Sequence, residues 1–134
     1  MIKSLVLMIA ARLLMLTFGT FAFIYVHIKF LARSIIRGRI SHFTTKMEAY
    51  YHQLAFADDQ KGNALCRDVF NDWFLKNKLG RKEYGSPDLT VSHVTGVNEE
   101  KGHLTGIGRL LAGILNAIDE NHTKKARENE QFNI

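Results

Sequence analysis

Carboxylates and histidines that could carry out acid–base or metal chemistry are scattered over the C-terminal two thirds of the chain. Asp59 and Asn63 are four residues apart, so a helix would place both on one face. Asp119 and His122 are three residues apart, and a helix would bring them together in the same way. If Asp59, Asp88 and His122 converged, they could bind a metal ion or act as the acid and base of a hydrolase.

The same residue types also stabilise helix ends. Three of them follow one another closely at a candidate helix start: Asp88, Thr90 and Ser92. Their side-chain oxygens accept hydrogen bonds from backbone N–H groups, which favours a capping role. In this structural interpretation Asp59 holds the preceding turn and His122 pairs with a carboxylate. The supporting polar network would then be Asn63, Thr90, Ser92 and Asp119.

No standard catalytic or metal motif accompanies these residues. The chain has one cysteine, Cys66, which excludes an internal disulfide framework or a cysteine-based zinc site. It also lacks an HExxH pair, a phosphate-binding glycine loop and a GxSxG elbow. We therefore expect no metal site and no cofactor.

Three short motifs in this region resemble a known family. They are Asp59-Gln60-x-x-Asn63-Ala64-Leu65, then Pro87-Asp88-x-Thr90-x-Ser92, then Ile118-Asp119 followed by His122. The chain over residues 55–130 is similar to small uncharacterised proteins of tailed phages and prophages, which carry "DQxxNAL", "PDETxS" and "ID…HC" motifs. The resemblance implies a phage origin and a shared fold, but no activity.

The sequence departs from that family pattern at three positions. Leu89 replaces the glutamate of the central motif, His93 stands where serine or arginine is usual, and Thr123 replaces the cysteine after the histidine. Any acid chemistry of the family that used that glutamate is therefore expected to be missing here.

The positive charge of the chain is concentrated at its N-terminus. Residues 1–40 carry six basic and no acidic residues, whereas residues 41–134 carry 12 basic and 13 acidic ones. The same N-terminal third is strongly apolar, and Arg12 alone interrupts the stretch Met8–Val26. About 20 apolar residues are needed to cross a bilayer, and an arginine near one end can reach the headgroups. We therefore predict a single transmembrane helix.

Two other interpretations of this stretch remain open. It could be the buried core helix of a soluble protein or a cleaved signal peptide, although no small-x-small cleavage site follows it. If the stretch spans a membrane, the basic flank predicts its orientation. Four residues form that flank: Lys29, Arg33, Arg37 and Arg39. The positive-inside rule then puts the N-terminus outside and the rest in the cytoplasm, at the inner membrane of a bacterial host.

The remainder is predicted to be all-α, since no strand-like alternation occurs. We expect an anchor with its basic flank at 1–34, an amphipathic stalk helix at 35–57, a small domain of about three to four helices at 58–130, and a tail at 131–134. The stalk would either continue the span or hinge at Gly38. Within the domain, predicted helices cover 58–79, 86–97 and 105–130, and the Ile107–Ile118 stripe is expected to pack on the Leu65–Phe74 stripe.

These features predict a phage-encoded, single-span membrane protein whose helical domain binds a host or phage protein. Lysis control, superinfection exclusion and host takeover are the roles considered. The alternatives are a hydrolase or metal-dependent enzyme using Asp59, Asp88 and His122, and a membrane-associated or ejected virion component. Membrane lipid is an expected partner and a homo-oligomer is left open. Nucleic acid is not expected, because the basic excess lies on the anchor.

Overall fold

The computed structural model describes residues 2–130 of the chain, and within that range the protein is all-α, as predicted. Six helices follow one another with no strand between them in the described part. They are α1 (Ile2–Ile36), α2 (Ile40–Leu65), α3 (Arg67–Trp73), α4 (Val91–Glu100), α5 (Gly106–Ile118) and α6 (His122–Glu130). The predicted tail at 131–134 lies outside the described residues.

The chain divides into two compact units, and the division falls inside α2. The first unit ends at His52 and the second begins at Gln53. The first unit therefore holds α1 and the N-terminal half of α2. The second unit holds the C-terminal half of α2, the remaining helices and the candidate acid–base residues.

Helix α1 is 35 residues long, with a mean hydropathy of 2.0 over its most apolar 18-residue stretch, none of which is buried. At 1.5 Å per residue it would extend about 50 Å, more than the hydrocarbon core of a bilayer requires. A single turn of π-helix at Met15–Gly19 lies within it. Helix α1 is thus long and apolar enough to cross a membrane.

A turn at Gly38 separates α1 from α2. The φ angle of Gly38 is +61°, in the left-handed region that glycine adopts without steric cost, so the hinge considered from the sequence is present. Beyond the turn, α2 returns along α1: the Tyr51 hydroxyl lies 2.6 Å from Nε2 of His27. His27 Nδ1 is 2.7 Å from the carbonyl oxygen of Phe23 in its own helix. Tyr51, near the end of the first unit, therefore lies beside the C-terminal part of the apolar stretch of α1.

The predicted helix 58–79 is wrong at both ends. Helix α2 passes through Asp58 without a break, and α3 ends at Trp73. After Phe74 the chain becomes extended, because Leu75 pairs antiparallel with Leu104 and the Lys76 amide donates to the carbonyl of His103. This tertiary pairing overrides a local sequence pattern that favours a longer helix.

The next helix starts at Val91, five residues later than predicted. Ser86 and Pro87 lie in a turn, and Thr90 is the N-cap of α4, with its hydroxyl oxygen accepting a bond from the amide of His93. The turn stays non-helical because the Asn63 side-chain amide donates hydrogen bonds to the carbonyl oxygens of Ser86 and Leu89.

The predicted helix 105–130 is two helices. Thr105 caps α5 near the predicted start, but α5 ends at Ile118 and α6 begins at His122. Between them Asp119 is extended and Asn121 has a φ of +59°, a conformation that asparagine tolerates better than most residues. The hydropathy pattern did not indicate this break.

The core of the second unit is small. Its buried apolar residues are Leu75, Tyr84, Leu89, Val91, Val94, Leu104 and Ala112. The predicted packing of two apolar stripes is confirmed only in part: Phe70, Phe74 and Leu111 pack partly buried against this core, whereas most other stripe residues are exposed. Of the first stripe, Leu65, Val69 and Trp73 are more than half exposed. Of the second, the exposed fractions are 52% for Ile107, 64% for Leu110, 50% for Ile114 and 80% for Ile118.

Helix α5 instead packs through its small residues, Gly108 and Ala112, which are both buried. A Cβ atom at Gly108 would overlap the carbonyl oxygen of Phe74, so a side chain there would push α5 away from the core. Leu111 adds a partly buried contact. The sequence pattern predicted that the face with the largest apolar side chains packs against the core. The face with the smallest side chains packs there instead, because it lets the two backbones approach closely.

Candidate functional site

The Asp59 carboxylate in α2 accepts hydrogen bonds from the first turn of α4. Its Oδ1 accepts a hydrogen bond from the Val91 amide at 3.0 Å. Its Oδ2 accepts from the Ser92 amide at 3.3 Å and from the Ser92 hydroxyl at 2.6 Å. A carboxylate at a helix N-terminus satisfies amides that have no partner within the helix and is favoured by the helix dipole. Asp59 therefore links α2 to α4.

His122, the first residue of α6, continues this network. Its Nε2 lies 3.0 Å from the Ser92 hydroxyl oxygen, and its Nδ1 lies 3.2 Å from Oδ2 of Asp119. Because the Ser92 hydroxyl donates its hydrogen to Asp59, Nε2 of His122 must be the donor to Ser92. Nδ1 faces the Asp119 carboxylate, so His122 lies between Ser92 and Asp119.

Asp119 is the exposed end of the network. Hydrogen bonds from Lys125 and then from His122 lower the pKa of its carboxyl below the usual value, the Lys125 bond being the larger cause. The Lys125 ammonium lies 2.8 Å from Oδ1. Asp119 is therefore held as a carboxylate, positioned to orient the His122 ring.

The structure separates the remaining candidates from this network. Asp88 is exposed in the turn before α4, where its backbone carbonyl accepts a bond from Gln60. Thr90 caps α4, and buried Asn63 bonds the surrounding turn, where its Oδ1 also accepts from the Gly85 amide. Asp59 and His122 are thus joined through Ser92, while Asp88 does not join them.

Ser92, His122 and Asp119 are hydrogen-bonded in the same order as the catalytic triad of a serine hydrolase. The groups around Ser92, however, already have other hydrogen-bond partners. Ser92 is 2% exposed, and its hydroxyl hydrogen points to Asp59. An oxyanion would need free amides near Ser92, but Asp59 and Thr90 accept the first three amides of α4. Such a geometry is typical of a structural network that joins α2, α4 and the α5–α6 turn.

Among residues 2–130, no three His, Cys, Asp or Glu side chains lie close enough together to hold a metal ion.

The three departures from the phage-family motifs are all interior positions, with Leu89 and His93 each 4% and Thr123 2% exposed. Thr123 donates a hydrogen bond to Glu99 at 2.7 Å.

Sequence reasoning missed two asparagines that hold the long loop between α3 and α4. Asn71 exchanges two hydrogen bonds with the backbone of Tyr84, and buried Asn98 does the same with Lys82. Asparagine is a poor helix former, so its presence inside a helix is a signal that the side chain has a specific partner. Such asparagines in α2, α3 and α4 could have been flagged on this ground.

Tyr84 lies between these asparagines, and its hydroxyl is 2.9 Å from that of Thr95. Burial raises the pKa of Tyr84 to about 12, against the opposing effect of the Thr95 hydrogen bond. Tyr84 also meets Phe70 edge to face, with ring centroids 5.3 Å apart. The loop is therefore fixed by buried polar contacts as well as by apolar packing.

The basic flank predicted from the sequence lies at the C-terminal end of α1 and in the Gly38 turn. Arg33, Arg37 and Arg39 are exposed. The Lys29 ammonium sits 5.6 Å from the centre of the Tyr25 ring, a cation–π contact. Tyrosine and lysine together at the end of an apolar helix are typical of a membrane–water interface.

No protein-family model matches the chain, and no match was found among curated proteins or solved structures. The resemblance to phage proteins therefore stays a prediction from the motifs alone.

Proposed function

We propose that the protein is a membrane-anchored binding protein: α1 spans a bilayer once, and the second unit binds another protein. The observation that supports the anchor most directly is the exposure of α1. Its most apolar 18-residue stretch has no buried residue. A buried core helix would have the opposite property.

The polar network supports a binding rather than a catalytic role for the second unit. Asp59, Ser92 and His122 satisfy one another and the first amides of α4, so they stabilise the unit without needing a substrate. A unit of this kind can present a rigid surface to a partner. The phage resemblance suggests that the partner is a host or phage protein, in lysis control, superinfection exclusion or host takeover.

The anchor is tested by a charge placed within the apolar stretch. Leu16→Arg should shift the full chain from the membrane fraction to the soluble or aggregated fraction after alkaline carbonate washing of expressing cells. An arginine near the centre of a span costs about 3 kcal/mol. Leu65→Arg is the matched control, since Leu65 is 61% exposed in the second unit. Equal release of both variants would refute the anchor.

Partner binding is tested in cells that express the full chain. We expect expression to alter lysis timing or the plating of a second phage, and Leu16→Arg to abolish this effect because the binding unit is no longer held at the membrane. A phenotype that persists undiminished in Leu16→Arg would contradict an anchored mode of action.

A serine hydrolase is the second candidate, favoured only by the bonded order Ser92–His122–Asp119. It would require Asp59 to release the Ser92 hydroxyl. A fluorophosphonate probe distinguishes the two: labelling of the wild-type chain that is lost in Ser92→Ala and retained in Ser86→Ala would establish a nucleophile. Absence of labelling is the result expected of a structural network.

A further inference from the structure

The apolar face of α5 has no partner within residues 2–130. Ile107, Leu110 and Ile114 are at least half exposed along about two turns of the helix, and the buried side of α5 is formed by Gly108 and Ala112. Nearby, the Thr105 hydroxyl donates to the carbonyl of Trp73 at 2.7 Å, and Trp73 is itself 62% exposed. An exposed apolar face of this size marks an interaction site.

Basic residues predominate in the stretches that form and adjoin this face. The extended segment after Trp73 pairs with the residues before α5 through Leu75 and Leu104. These two paired stretches, residues 73–82 and 101–118, hold six basic residues and no acidic one. The rest of the second unit holds five basic and 12 acidic residues. The unit is therefore basic around α5 and acidic elsewhere, which its overall charge conceals.

The basic residues lie in the loop and beside the helix: Lys76, Lys78, Arg81, Lys82, Lys101 and Arg109. Of these, Arg81 pairs with Glu83, while Lys76 and Lys101 donate to the carbonyls of Gly102 and Gly80. Those two bonds join the loop to the stretch that leads into α5. Leu79, at the tip of the same loop, is fully exposed.

We propose that this basic apolar surface, made of α5 and residues 73–82, lies on the surface of a bilayer that contains anionic lipid. Apolar side chains on one face of a helix, flanked by lysine and arginine and accompanied by tryptophan, are the combination that binds the membrane interface. The apolar groups enter the headgroup region, and the basic groups meet the lipid phosphates. The acidic remainder of the unit stays available for a protein partner.

A second copy of the chain fits this surface less well. Pairing two copies through α5 would bring two basic surfaces together, which opposes association. The exposed apolar residues of α5 are also far fewer than the roughly 20–30 residues a side of a stable protein interface. Contact with a bilayer needs no such area when the chain is already tethered, because the tether supplies a high local concentration. The proposed contact of this surface with the bilayer therefore rests on the proposed α1 anchor.

Trp73 is the only tryptophan, so its emission reports on this surface alone. The full chain is reconstituted into vesicles of phosphatidylethanolamine and phosphatidylglycerol, with and without lipid brominated on the acyl chains. We expect brominated lipid to cause about a twofold loss of Trp73 emission. The loss should shrink in vesicles of phosphatidylcholine alone. Leu110→Glu should reduce it at least twofold, while Leu65→Glu, the same change at a site equally exposed (61% against 64%), should not.

Flotation of the same vesicles separates the two proposals. If the wild-type chain floats with the vesicles and Trp73 is not quenched, the anchor stands and the surface contact is wrong, which would leave the surface to an acidic protein. Equal quenching in Leu110→Glu and Leu65→Glu, or quenching that ignores anionic lipid, would also overturn the contact. A wild-type chain that fails to float would overturn the anchor, and with it the contact that depends on it.

Discussion

At the scale of single residues, Asp59 is the polar group on which the second unit depends most. One carboxylate accepts two backbone amides and the Ser92 hydroxyl, and so joins α2 to α4. Asp59→Ala would leave these donors without an acceptor in a largely buried position. We expect a loss of about 2–3 kcal/mol in the free energy of unfolding. The measurement is chemical denaturation in detergent, followed by Trp73 emission.

Asp58→Ala is the matched control for Asp59→Ala. Asp58 precedes Asp59 in α2 but is exposed, so its loss should change stability by less than about 0.5 kcal/mol. If both variants lost the same stability, the network would not be the structural element described above.

Tyr84 makes the stability of the second unit sensitive to alkaline pH. Its folded pKa is raised to about 12 from 10.0, so the folded state keeps the phenolic proton more tightly than the unfolded state does. The contribution of Tyr84 is complete below pH 10 and is lost as the pH rises from 10 to 12, on the order of 2 kcal/mol in all.

Tyr84→Phe isolates this effect from other groups that titrate in the same range. At neutral pH the variant should be about 1 kcal/mol less stable, since the Thr95 hydrogen bond is lost. Between pH 10 and 12 its stability should fall less steeply than that of the wild type. Parallel stability curves for the two proteins would disprove the proposed burial effect.

At the scale of helices, glycine decides how α5 packs. Gly108→Ala would drive a methyl group into the Phe74 carbonyl oxygen, whereas Gly113 in the same helix has open space around it. We expect Gly108→Ala to destabilise the unit by at least 1–3 kcal/mol. Gly113→Ala should stabilise it by about 0.5–1 kcal/mol, because alanine favours a helix. Thermal unfolding followed by circular dichroism measures both, and a reversed order would place the packing face elsewhere.

The difference between local patterns and contacts distant in sequence explains which features could be predicted from the sequence. The helical class, the long apolar α1, the hinge at Gly38 and the start of a helix near Thr105 follow from local patterns. The ends of α3 and α4 do not, because the Leu75–Leu104 pairing and the Asn63 bonds join residues distant in sequence. Large apolar residues on α5 suggested a core, yet the core side is the one with Gly108 and Ala112.

The candidate site was predictable in part for a similar reason. Spacing alone paired Asp119 with His122 and drew attention to Asp59, since each is a local pattern. That Ser92 joins Asp59 to His122, and that Asp88 stays apart, depends on how α6 returns to α4. Gly96 permits that close approach, because a Cβ there would overlap the carbonyl oxygen of Thr123.

At the scale of the whole molecule, charge and hydropathy divide the chain by task. The apolar α1 carries basic residues only, and the second unit collects its basic residues around α5. Both features fit the proposed function, in which the protein works at the surface of an anionic bilayer with α1 as the anchor. Under that proposal, the basic flank after α1 predicts the orientation of the span.

The proposed anchor places α1 across the inner membrane and the second unit on the cytoplasmic side. Cys66 is the only thiol and is half-buried between α2 and α3. Intact cells expressing the full chain are treated with a membrane-impermeant maleimide, beside lysed and denatured samples. We expect labelling of Cys66 only after lysis, with the chain in the membrane fraction. Labelling in intact cells, or recovery of the chain in the soluble fraction, would contradict it.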